Sequence, residues 1–481
     1  MFSKVFSAAI HGIDGMIVSV EADVSDGLPV FDMVGFLGSE VKEARERVKI
    51  ALRNSGFRIP AKRITVNLSP ADIRKEGTAF DLPVAIAILG AFGYLPEESL
   101  KDILIIGELS LNGKVNKVNG VLPIVYCAKE QGFKKCIIPM ENGREGAVVE
   151  GIETYGVSTL AEVVEFLNDE EKLKPLCISR ENIFQNISHN ESMDFSDVTG
   201  QKAARRAIEI AVAGMHNILM IGPPGSGKTM MAKRIPTIMP ELSFKESMEI
   251  SKIYSIAGLM DKQGLILRRP FRSPHHTITT TALVGGGRIP RPGEVSLADQ
   301  GVLFLDELPE FQKNTIEVLR QPLEDRAVSI SRLNGTYRYP ANFMLAAAMN
   351  PCNCGYYPDR NRCNCSTNQV KRYLGKISQP LLDRFDICIE ALEINYKELA
   401  IKQKVESSEE IRNKVRIARD IQINRYKDQN IYFNSQLNPR TMKTYCKLDK
   451  KDQDLLEQAF IKMNLSARAY HRILKVARTI A

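Results

Sequence analysis

The stretch Asn217-Ile-Leu-Met-Ile-Gly-Pro-Pro-Gly-Ser-Gly-Lys-Thr229 decides the fold of this 481-residue chain. Its apolar first half predicts a buried strand, its second half fits the pattern G-x-x-x-x-G-K-[ST], and residues 229–235 predict a helix. Glycines let backbone N–H groups turn inward around phosphates, and a helix N-terminus favours anions. The predicted nucleotide-binding residues are Gly222, Pro223, Pro224, Gly225, Ser226, Gly227, Lys228 and Thr229.

A second apolar run ends in two carboxylates. Residues 302–307 read Val-Leu-Phe-Leu-Asp-Glu, which predicts a buried strand with Asp306 and Glu307 at its carboxyl end. Lys228 is expected to reach the outer phosphates of a nucleotide, while Thr229 and Asp306 hold Mg²⁺ and its waters. Glu307 suits the base that polarises the attacking water. The alternative, an acidic junction between strand and loop, is weakened by the phosphate loop upstream.

The composition is that of a globular protein, with 44% apolar and 25% charged residues. Residues 393–481 hold 19 Lys and Arg against 11 Asp and Glu, so the whole net charge of +8 belongs to the C-terminal part. The sequence has no apolar run of about 18 residues and no signal-peptide pattern at its start, which favours a cytoplasmic protein without a membrane partner. Nine cysteines, four of them crowded together, favour metal binding over disulfides.

The sequence pattern predicts four regions. Residues 1–172 mix strand-like and helical patterns and predict an α/β domain, and the polar residues 173–192 predict a linker. Residues 193–392 alternate buried strands with helices, which predicts a parallel sheet. Residues 393–481 predict a basic helical unit. The chain stops inside its last helical pattern without a Gly or Pro stop signal, so a truncation there stays open.

The two motifs resemble those of an AAA+ ATPase, and five further stretches narrow the resemblance. They are Arg272-Ser-Pro-His-His-Thr-Ile, Ala282-Leu-Val-Gly-Gly-Gly, Pro292-Gly-Glu-Val-Ser-Leu-Ala, Leu308-Pro-Glu-Phe and Ala347-Ala-Met-Asn-Pro351. Nearly the whole chain is similar to the ComM/YifB-like group of magnesium-chelatase-type AAA+ ATPases. The resemblance implies an α/β P-loop parallel-sheet core with an α-helical lid, and ATP and Mg²⁺ as cofactors. It also implies a hexameric branch-migration helicase that processes DNA in natural transformation.

The resemblance assigns roles to two residues downstream of the carboxylates. Asn350 matches the sensor that positions water near the γ-phosphate, and a simple turn asparagine before Pro351 is the alternative. Arg384 matches the arginine finger that AAA+ subunits offer to the ATP of a neighbour. Its alternative is a local ion pair with Asp383 or Asp386.

A third arginine is expected in the lid. Arg468 matches the residue called sensor 2, and Arg472, one helical turn further on, is the rival. Because a finger that acts on a neighbour requires an oligomer, the resemblance implies a homo-oligomeric ring, with single-stranded or branched DNA as partner.

Residues 1–172 resemble the α/β fold of the Lon protease domain, through Gly107-Glu-Leu-Ser-Leu-Asn-Gly-Lys-Val and Ile137-Ile-Pro-Met-Glu-Asn. Lon uses a Ser-Lys dyad, and both members are missing here. Lys75-Glu-Gly is followed by Thr78-Ala-Phe, without the serine, and Leu122 stands where Lon has its lysine. Thr78 is a nearby hydroxyl with no such base. We therefore expect a binding or ring-forming module.

Four cysteines form two C-x-C pairs across an eight-residue loop: Cys352, Cys354, Cys363 and Cys365. Four thiolates brought together suit a structural Zn²⁺ ion. C-x-C is tighter than the usual spacing, so free or redox-active thiols remain the alternative. His275 and His276 have no third ligand at a suitable spacing, which favours a polar loop or a DNA contact over a metal site.

Residues 328–339 predict a β-hairpin around the two-residue turn Asn334-Gly335. Related AAA+ motors place a hairpin at this point of the chain, directed at the ring pore. Arg332 and Arg338 are expected to follow DNA phosphates, and Tyr337 to stack on a base. The alternative is a solvated hairpin whose arginines only protect an edge strand from aggregation.

An ATP-driven DNA motor is therefore the function that the sequence favours. The alternatives are the motor subunit of a metal chelatase and an ATP-dependent scaffold or switch. An ATP-dependent protease is disfavoured because the dyad is absent.

Overall fold

The structure is a computed structural model, and it describes residues 1–178, 193–261, 263–332, 335–393, 405–427, 429 and 431–481. Two compact units share the chain, and neither is continuous in sequence. Unit 1 consists of Met1–Ile187, Phe244–Leu267 and Ser329–Tyr339, and unit 2 of Ser188–Ser243, Arg268–Val328 and Pro340–Ala481. The predicted linker 173–192 lies, from residue 179 on, outside the described residues.

Unit 1 is built on a mixed seven-stranded sheet with the order β3-β4-β2-β1-β5-β8-β9. The β1–β2 and β2–β4 pairs are antiparallel, and the other neighbours are parallel. The strands of unit 1, including a small β6–β7 ribbon, are β1 (Phe2–His11), β2 (Asp14–Ser25), β3 (Phe31–Val34), β4 (Arg63–Ser69), β5 (Ile103–Ile105), β6 (Glu108–Leu109), β7 (Val115–Asn116), β8 (Lys135–Pro139) and β9 (Glu153–Val157).

Helices cover the sheet of unit 1, and the most apolar one is the most buried. The helices are α1 (Ser39–Asn54), α2 (Asp81–Ala91), α3 (Val121–Glu130), α4 (Gly143–Ala147) and α5 (Leu160–Asn168). α2 is apolar all round, and every residue except Gly90 is buried. Such a helix must lie inside a core, and α2 packs between β1, β2 and α1.

Unit 2 contains a five-stranded sheet with the order β11-β14-β17-β10-β18, and all its pairs are parallel. Its strands are β10 (Ile218–Ile221), β11 (Phe271–Arg272), β14 (Val302–Leu305), β17 (Met344–Met349) and β18 (Ile387–Glu390). The predicted α/β class with a parallel P-loop core is therefore confirmed. Because parallel strands end at the same edge, the residues after β10, β14 and β17 are neighbours.

The remaining helices belong to unit 2, except that residues 244–257 form a helix of unit 1. They are α6 (Lys202–Gly214), α7 (Lys228–Ile238), α8 (Phe244–Ala257), α9 (Thr280–Val284), α10 (Glu294–Leu297), α11 (Lys313–Glu317), α12 (Arg320–Asp325), α13 (Thr367–Leu374), α14 (Gln379–Leu382), α15 (Ser408–Arg425), α16 (Pro439–Tyr445), α17 (Lys450–Lys462) and α18 (Ala467–Ile480). Residues 394–404, near the start of the helical unit predicted over residues 393–481, lie outside the described residues. Among the described helices, none combines the length and apolar character needed to cross a bilayer.

Two segments that interrupt the ATPase sequence belong to unit 1 rather than unit 2. The first carries α8, where the Ser255 carbonyl oxygen accepts a backbone hydrogen bond from the Gly120 N–H and the Ser255 hydroxyl donates to the buried Glu145 carboxylate. The second is most of the hairpin formed by β15 (Ala327–Arg332) and β16 (Gly335–Pro340). Asn334 of the predicted turn lies outside the described residues.

Candidate functional site

β10 leads directly into the phosphate loop, whose conformation depends on its glycines. Gly225 and Gly227 have φ of 79° and 82°, in the left-handed region that favours glycine. A Cβ at Gly222 would lie 2.2 Å from the Ala391 carbonyl oxygen, so a larger residue does not fit. α7 begins at Lys228, and its free N-terminal amides face the loop. The loop is therefore shaped to bind an anion.

The Lys228 ammonium lies inside this loop. Its Nζ donates to the carbonyl oxygens of Gly222 and Pro223, both at 2.8 Å, and to Asn350 Oδ1 at 3.3 Å. Burial lowers the pKa of Lys228, against a smaller opposing effect of Asp306. A partly desolvated cation gains from an anionic ligand. The structure thus brings Asn350, at the end of β17, to the phosphate loop.

The two predicted magnesium ligands are in contact. Thr229 Oγ1 donates to Asp306 Oδ2 at 2.6 Å. A hydroxyl and a carboxylate are the oxygen ligands that Mg²⁺ takes in nucleotide sites, so the residues present fit the ion. Glu307 follows with a φ of 52°, unusual for a non-glycine residue, and its side chain is 62% exposed. Its carboxylate is accessible to water beside the predicted magnesium ligands.

The sequence predicted His276 in a polar loop or as a DNA contact, and the structure places it beside Glu307. Its Nδ1 lies 3.8 Å from Glu307 Oε2, and its ring packs on His275 at 4.0 Å between centroids. His276 follows β11, which pairs with β14. Adjacency of the two strand ends is the signal that could have found it, but β11 spans only Phe271–Arg272 and its pattern is too short to predict.

Two of the predicted arginines meet on one carboxylate. Arg384 forms an ion pair with Glu324 Oε1, and Arg468 NH2 lies 3.2 Å from the same oxygen. Burial lowers the pKa of Arg384. No hydrogen bond joins Arg384 or Arg468 to the phosphate loop of the same chain among the residues that the structure describes. The structure therefore separates this pair from the Lys228 site.

Arg472, the rival lid arginine, has local partners. Its NH1 donates to the Phe385 carbonyl oxygen at 2.5 Å, and its NH2 lies 3.4 Å from Asp383 Oδ1. These contacts attach α18 to the turn after α14. Its side chain is 21% exposed, compared with 48% for Arg468. The geometry favours Arg468 as the arginine that reaches outward.

The four clustered cysteines converge. Their Sγ atoms all lie within 4.8 Å of one another, with three pairs at 3.3, 3.6 and 3.8 Å. Tetrahedral zinc with Zn–S of about 2.3 Å requires S–S distances of about 3.8 Å, so the set fits this ion. A hydrogen bond from the Tyr356 backbone lowers the pKa of Cys354 to about 6, and burial raises that of Cys363 to about 11.

The cysteine loop contacts the phosphate loop. A Cβ at Gly355, which lies between the two C-x-C pairs and has a φ of 88°, would stand 2.4 Å from Pro224 Cδ. The same loop begins immediately after Asn350 and Pro351. Anything that orders the cysteines therefore also restrains two parts of the nucleotide site.

The predicted DNA-contacting residues differ in their surroundings. Arg332 and Arg338 have exposed side chains on the hairpin. The Tyr337 ring instead packs on His11, with centroids 4.7 Å apart, and burial raises its pKa. The hairpin is thus present with its arginines at the surface, whereas Tyr337 already has an aromatic neighbour inside unit 1.

The Lon-like region carries no serine–lysine pair at the corresponding positions. The Thr78 hydroxyl donates to the Glu108 carboxylate, and Leu122 is fully buried at the start of α3. Lys75 is also buried, and its ammonium donates to the Pro70 carbonyl oxygen. Because Leu122 stands in place of the Lon lysine, the Thr78 hydroxyl has no lysine to activate it in the way Lon does.

Comparisons with known protein families cover nearly the whole chain. A model of the magnesium chelatase subunit ChlI matches residues 194–399, a second ChlI model matches residues 20–142, and a ChlI C-terminal model matches residues 405–481. The chain is 45% identical over 480 residues to the competence protein ComM of Haemophilus influenzae, covering 99% of this chain and 93% of the relative.

Two further relatives bear on separate parts of the molecule. The uncharacterized protein YifB of Escherichia coli is 42% identical over 483 residues, covering 100% of this chain and 93% of that protein. Lon protease 2 of Bacillus subtilis is 33% identical over 145 residues, which is 29% of this chain and 25% of the protease.

Proposed function

The chain belongs to the ComM/YifB family of magnesium-chelatase-type AAA+ ATPases, and we propose that it is a ring-forming ATP-driven motor acting on DNA. The specific activity we propose is branch migration in recombination or natural transformation. The family implies ATP and Mg²⁺ as cofactors and a tendency to oligomerise.

One observation carries this proposal: the predicted nucleotide-binding residues of one chain come together, and the predicted arginines do not join them. Lys228, Thr229, Asp306 and Asn350 meet at one edge of the sheet, while Arg384 pairs elsewhere in the chain. We propose that Arg384 and Arg468 serve the ATP bound by the next subunit. A ring, hexameric in our proposal, supplies that neighbour at every site.

Three features support DNA as the substrate. The ComM relative is named a competence protein, the C-terminal region carries the net +8 charge, and the hairpin exposes Arg332 and Arg338. A basic surface binds nucleic acid through phosphates without reading sequence. Single-stranded or branched DNA is therefore the expected partner.

The family models favour a second candidate, an ATPase subunit that drives metal insertion into a porphyrin. An ATP-dependent scaffold is a third. Branch migration of a synthetic four-way junction separates them, because only a DNA motor converts ATP into moving the junction. With ATP and Mg²⁺, the wild-type protein should separate the junction into duplexes. The Lys228→Ala variant should not, because it binds nucleotide weakly. A wild-type protein that hydrolyses ATP but leaves the junction intact would favour the other candidates.

We propose residues 1–172 as a Lon-like binding or ring-forming module without protease activity, 193–392 as the ATPase core and 393–481 as the lid. The identity to Lon protease 2 supports a Lon-like fold for residues 1–172. Leu122, at the position of the Lon lysine, argues against Ser-Lys proteolysis.

We propose that the cysteine cluster holds one structural zinc ion. Protein prepared without chelators should contain about one zinc per chain. Cys354→Ser should lose it, and because the loop contacts Pro224, it should also weaken ATP binding. Metal analysis and nucleotide titration measure the two effects.

Cys446→Ser is the matched control, since Cys446 lies outside the cluster and is also partly buried. It should keep both zinc and ATP binding. Zinc-free wild-type protein from such a preparation would contradict the proposal and favour the free-thiol alternative.

We propose that the hairpin holds DNA through Arg332 and Arg338. The double variant Arg332→Ala with Arg338→Ala should keep basal ATPase and lose most DNA stimulation. The salt dependence of DNA binding should become less steep by about one unit per lost phosphate contact. Fluorescence anisotropy across a salt series measures the slope.

Tyr337→Ala tests the stacking part of this prediction separately. Because Tyr337 packs on His11, its loss should lower stability in addition to any effect on DNA. If the double arginine variant retains normal DNA stimulation and strand displacement, the hairpin is not the DNA grip, and the basic C-terminal region replaces it as the candidate.

A further inference from the structure

A cavity of about 330 Å³ in unit 2 is lined mainly by charged and polar groups. Five cationic and three anionic side chains contribute to its wall: Arg326, Arg384, Arg468, Arg472, Lys475, Glu324, Asp383 and Asp386. Burial lowers the pKa of Arg326 to about 10 and also lowers that of Lys475. Desolvated cations in excess over carboxylates favour an anionic occupant.

Two donors in this wall lack acceptors. Arg384 Nε and Arg472 Nε are buried and form no hydrogen bond among the described residues. Buried polar groups are nearly always paired, so these two N–H groups leave the arginines with hydrogen-bonding capacity that the described residues do not satisfy. Guanidinium groups are suited to the oxygens of carboxylates and phosphates.

Glu324 is the acceptor that Arg384 and Arg468 share. One of its oxygens receives both Arg384 and Arg468, the latter at 3.2 Å. Two guanidiniums converging on one oxygen is the arrangement that a phosphoryl oxygen receives in phosphate sites. The Glu324 side chain is 53% exposed and lies near the C-terminal end of α12, so rotation into solvent is open to it.

We propose that this cavity is a binding site for a phosphoryl group, and that Glu324 occupies its two arginines until a phosphoryl group displaces it. The regulatory part rests on the proposed function, since Arg384 and Arg468 would act on a neighbour's ATP only after Glu324 leaves. The carboxylate thereby suppresses hydrolysis in unassembled chains. Arg326, Arg472 and Lys475 belong to the same proposed phosphoryl-binding site.

The ligand chemistry has two sources, the γ-phosphoryl group of a neighbour's nucleotide and free inorganic phosphate. A cavity of this volume admits a phosphoryl group and excludes a DNA duplex. The affinity of the cavity for an anion should rise when Glu324 is neutralised. The change removes the carboxylate that pairs with Arg384 and Arg468 and leaves the cationic side chains in place.

The first experiment titrates inorganic phosphate into the Lys228→Ala chain by calorimetry, with and without Glu324→Gln. Lys228→Ala weakens the phosphate loop, and a Lys228→Ala, Arg384→Ala chain reports any residual binding there. Glu324→Gln should tighten phosphate binding by about fivefold, the scale of a partly exposed ion pair. Glu324→Asp, which withdraws the carboxylate, should give a smaller shift in the same direction.

The second experiment measures ATPase against protein concentration with Lys228 intact. Glu324→Gln should lower the concentration of half-maximal activity by about fivefold. Glu406→Gln is the matched control, because Glu406 is 49% exposed, pairs with Lys414 and does not line the cavity. It should leave both readouts unchanged.

A shift in the ATPase midpoint alone identifies the neighbour's nucleotide as the ligand, and a shift in phosphate affinity alone identifies free phosphate. Both results support the site. Unchanged values in both experiments, or weaker binding and weaker activity, would overturn the proposal, because Glu324 would then position the arginines instead of competing for them. The phosphate titration needs no ring and no hydrolysis, so its result stands even if the proposed motor function fails.

Discussion

Arg384→Ala should bind ATP normally and hydrolyse it about 10³–10⁵-fold more slowly, the range that arginine fingers contribute in related phosphoryl transfers. The structure supports the expectation because Arg384 pairs with Glu324 and forms no hydrogen bond to the phosphate loop among the described residues of its own chain. Nucleotide affinity and single-turnover hydrolysis, measured separately, distinguish a lost finger from a lost binding site.

Mixing subunits makes this prediction specific. Arg384→Ala chains keep a working phosphate loop, and Lys228→Ala chains keep a working finger, so mixed rings should recover part of the activity. Arg206→Ala is the control, since the 56% exposed Arg206 pairs locally with Glu209 at 2.9 Å and should behave as wild type. No recovery at any mixing ratio would contradict action between subunits.

Glu307→Gln should bind ATP with near-normal affinity and lose hydrolysis almost completely. The neutral amide has no charge to polarise the attacking water, while the metal ligands Thr229 and Asp306 remain intact. General-base removal costs about 10²–10⁴-fold in rate. Rapid-quench measurement of one turnover reads this loss directly.

Glu310→Gln is a close control for charge, because Glu310 lies one turn later and pairs with Lys376 at 2.9 Å. It should retain activity. If Glu307→Gln turns over ATP at the wild-type rate, another group activates water. Adding His276→Ala to the Glu307→Gln chain would then show what His276 does. If His276 only positions the Glu307 carboxylate, the second change should have little effect, whereas a direct role of His276 should lower the rate further.

The convergence of the predicted nucleotide-binding residues could be predicted because they follow strands in a parallel sheet. β10, β14 and β17 are apolar runs that end in Gly222, Asp306 and Asn350, and shared strand direction places all three at one edge. The proximity of the four cysteines could be predicted equally well, since their short spacing in the sequence keeps them close together.

Features that depend on contacts between distant segments were not predictable. Nothing in the sequence around Glu324 indicates two arginines, one of them 144 residues away. The helix α8 and the hairpin interrupt the ATPase sequence but pack in unit 1, because Ser255 and Tyr337 find partners at Gly120, Glu145 and His11. Local periodicity indicates which face of a segment is buried, but it does not indicate which other segment that face packs against.

ATP turnover with and without DNA tests the central claim most directly. Purified protein should hydrolyse ATP faster with single-stranded or branched DNA, this stimulation should fall with salt, and casein should have no effect. Turnover that no DNA changes at any ratio, or that casein raises, would contradict the account of this chain as a DNA motor.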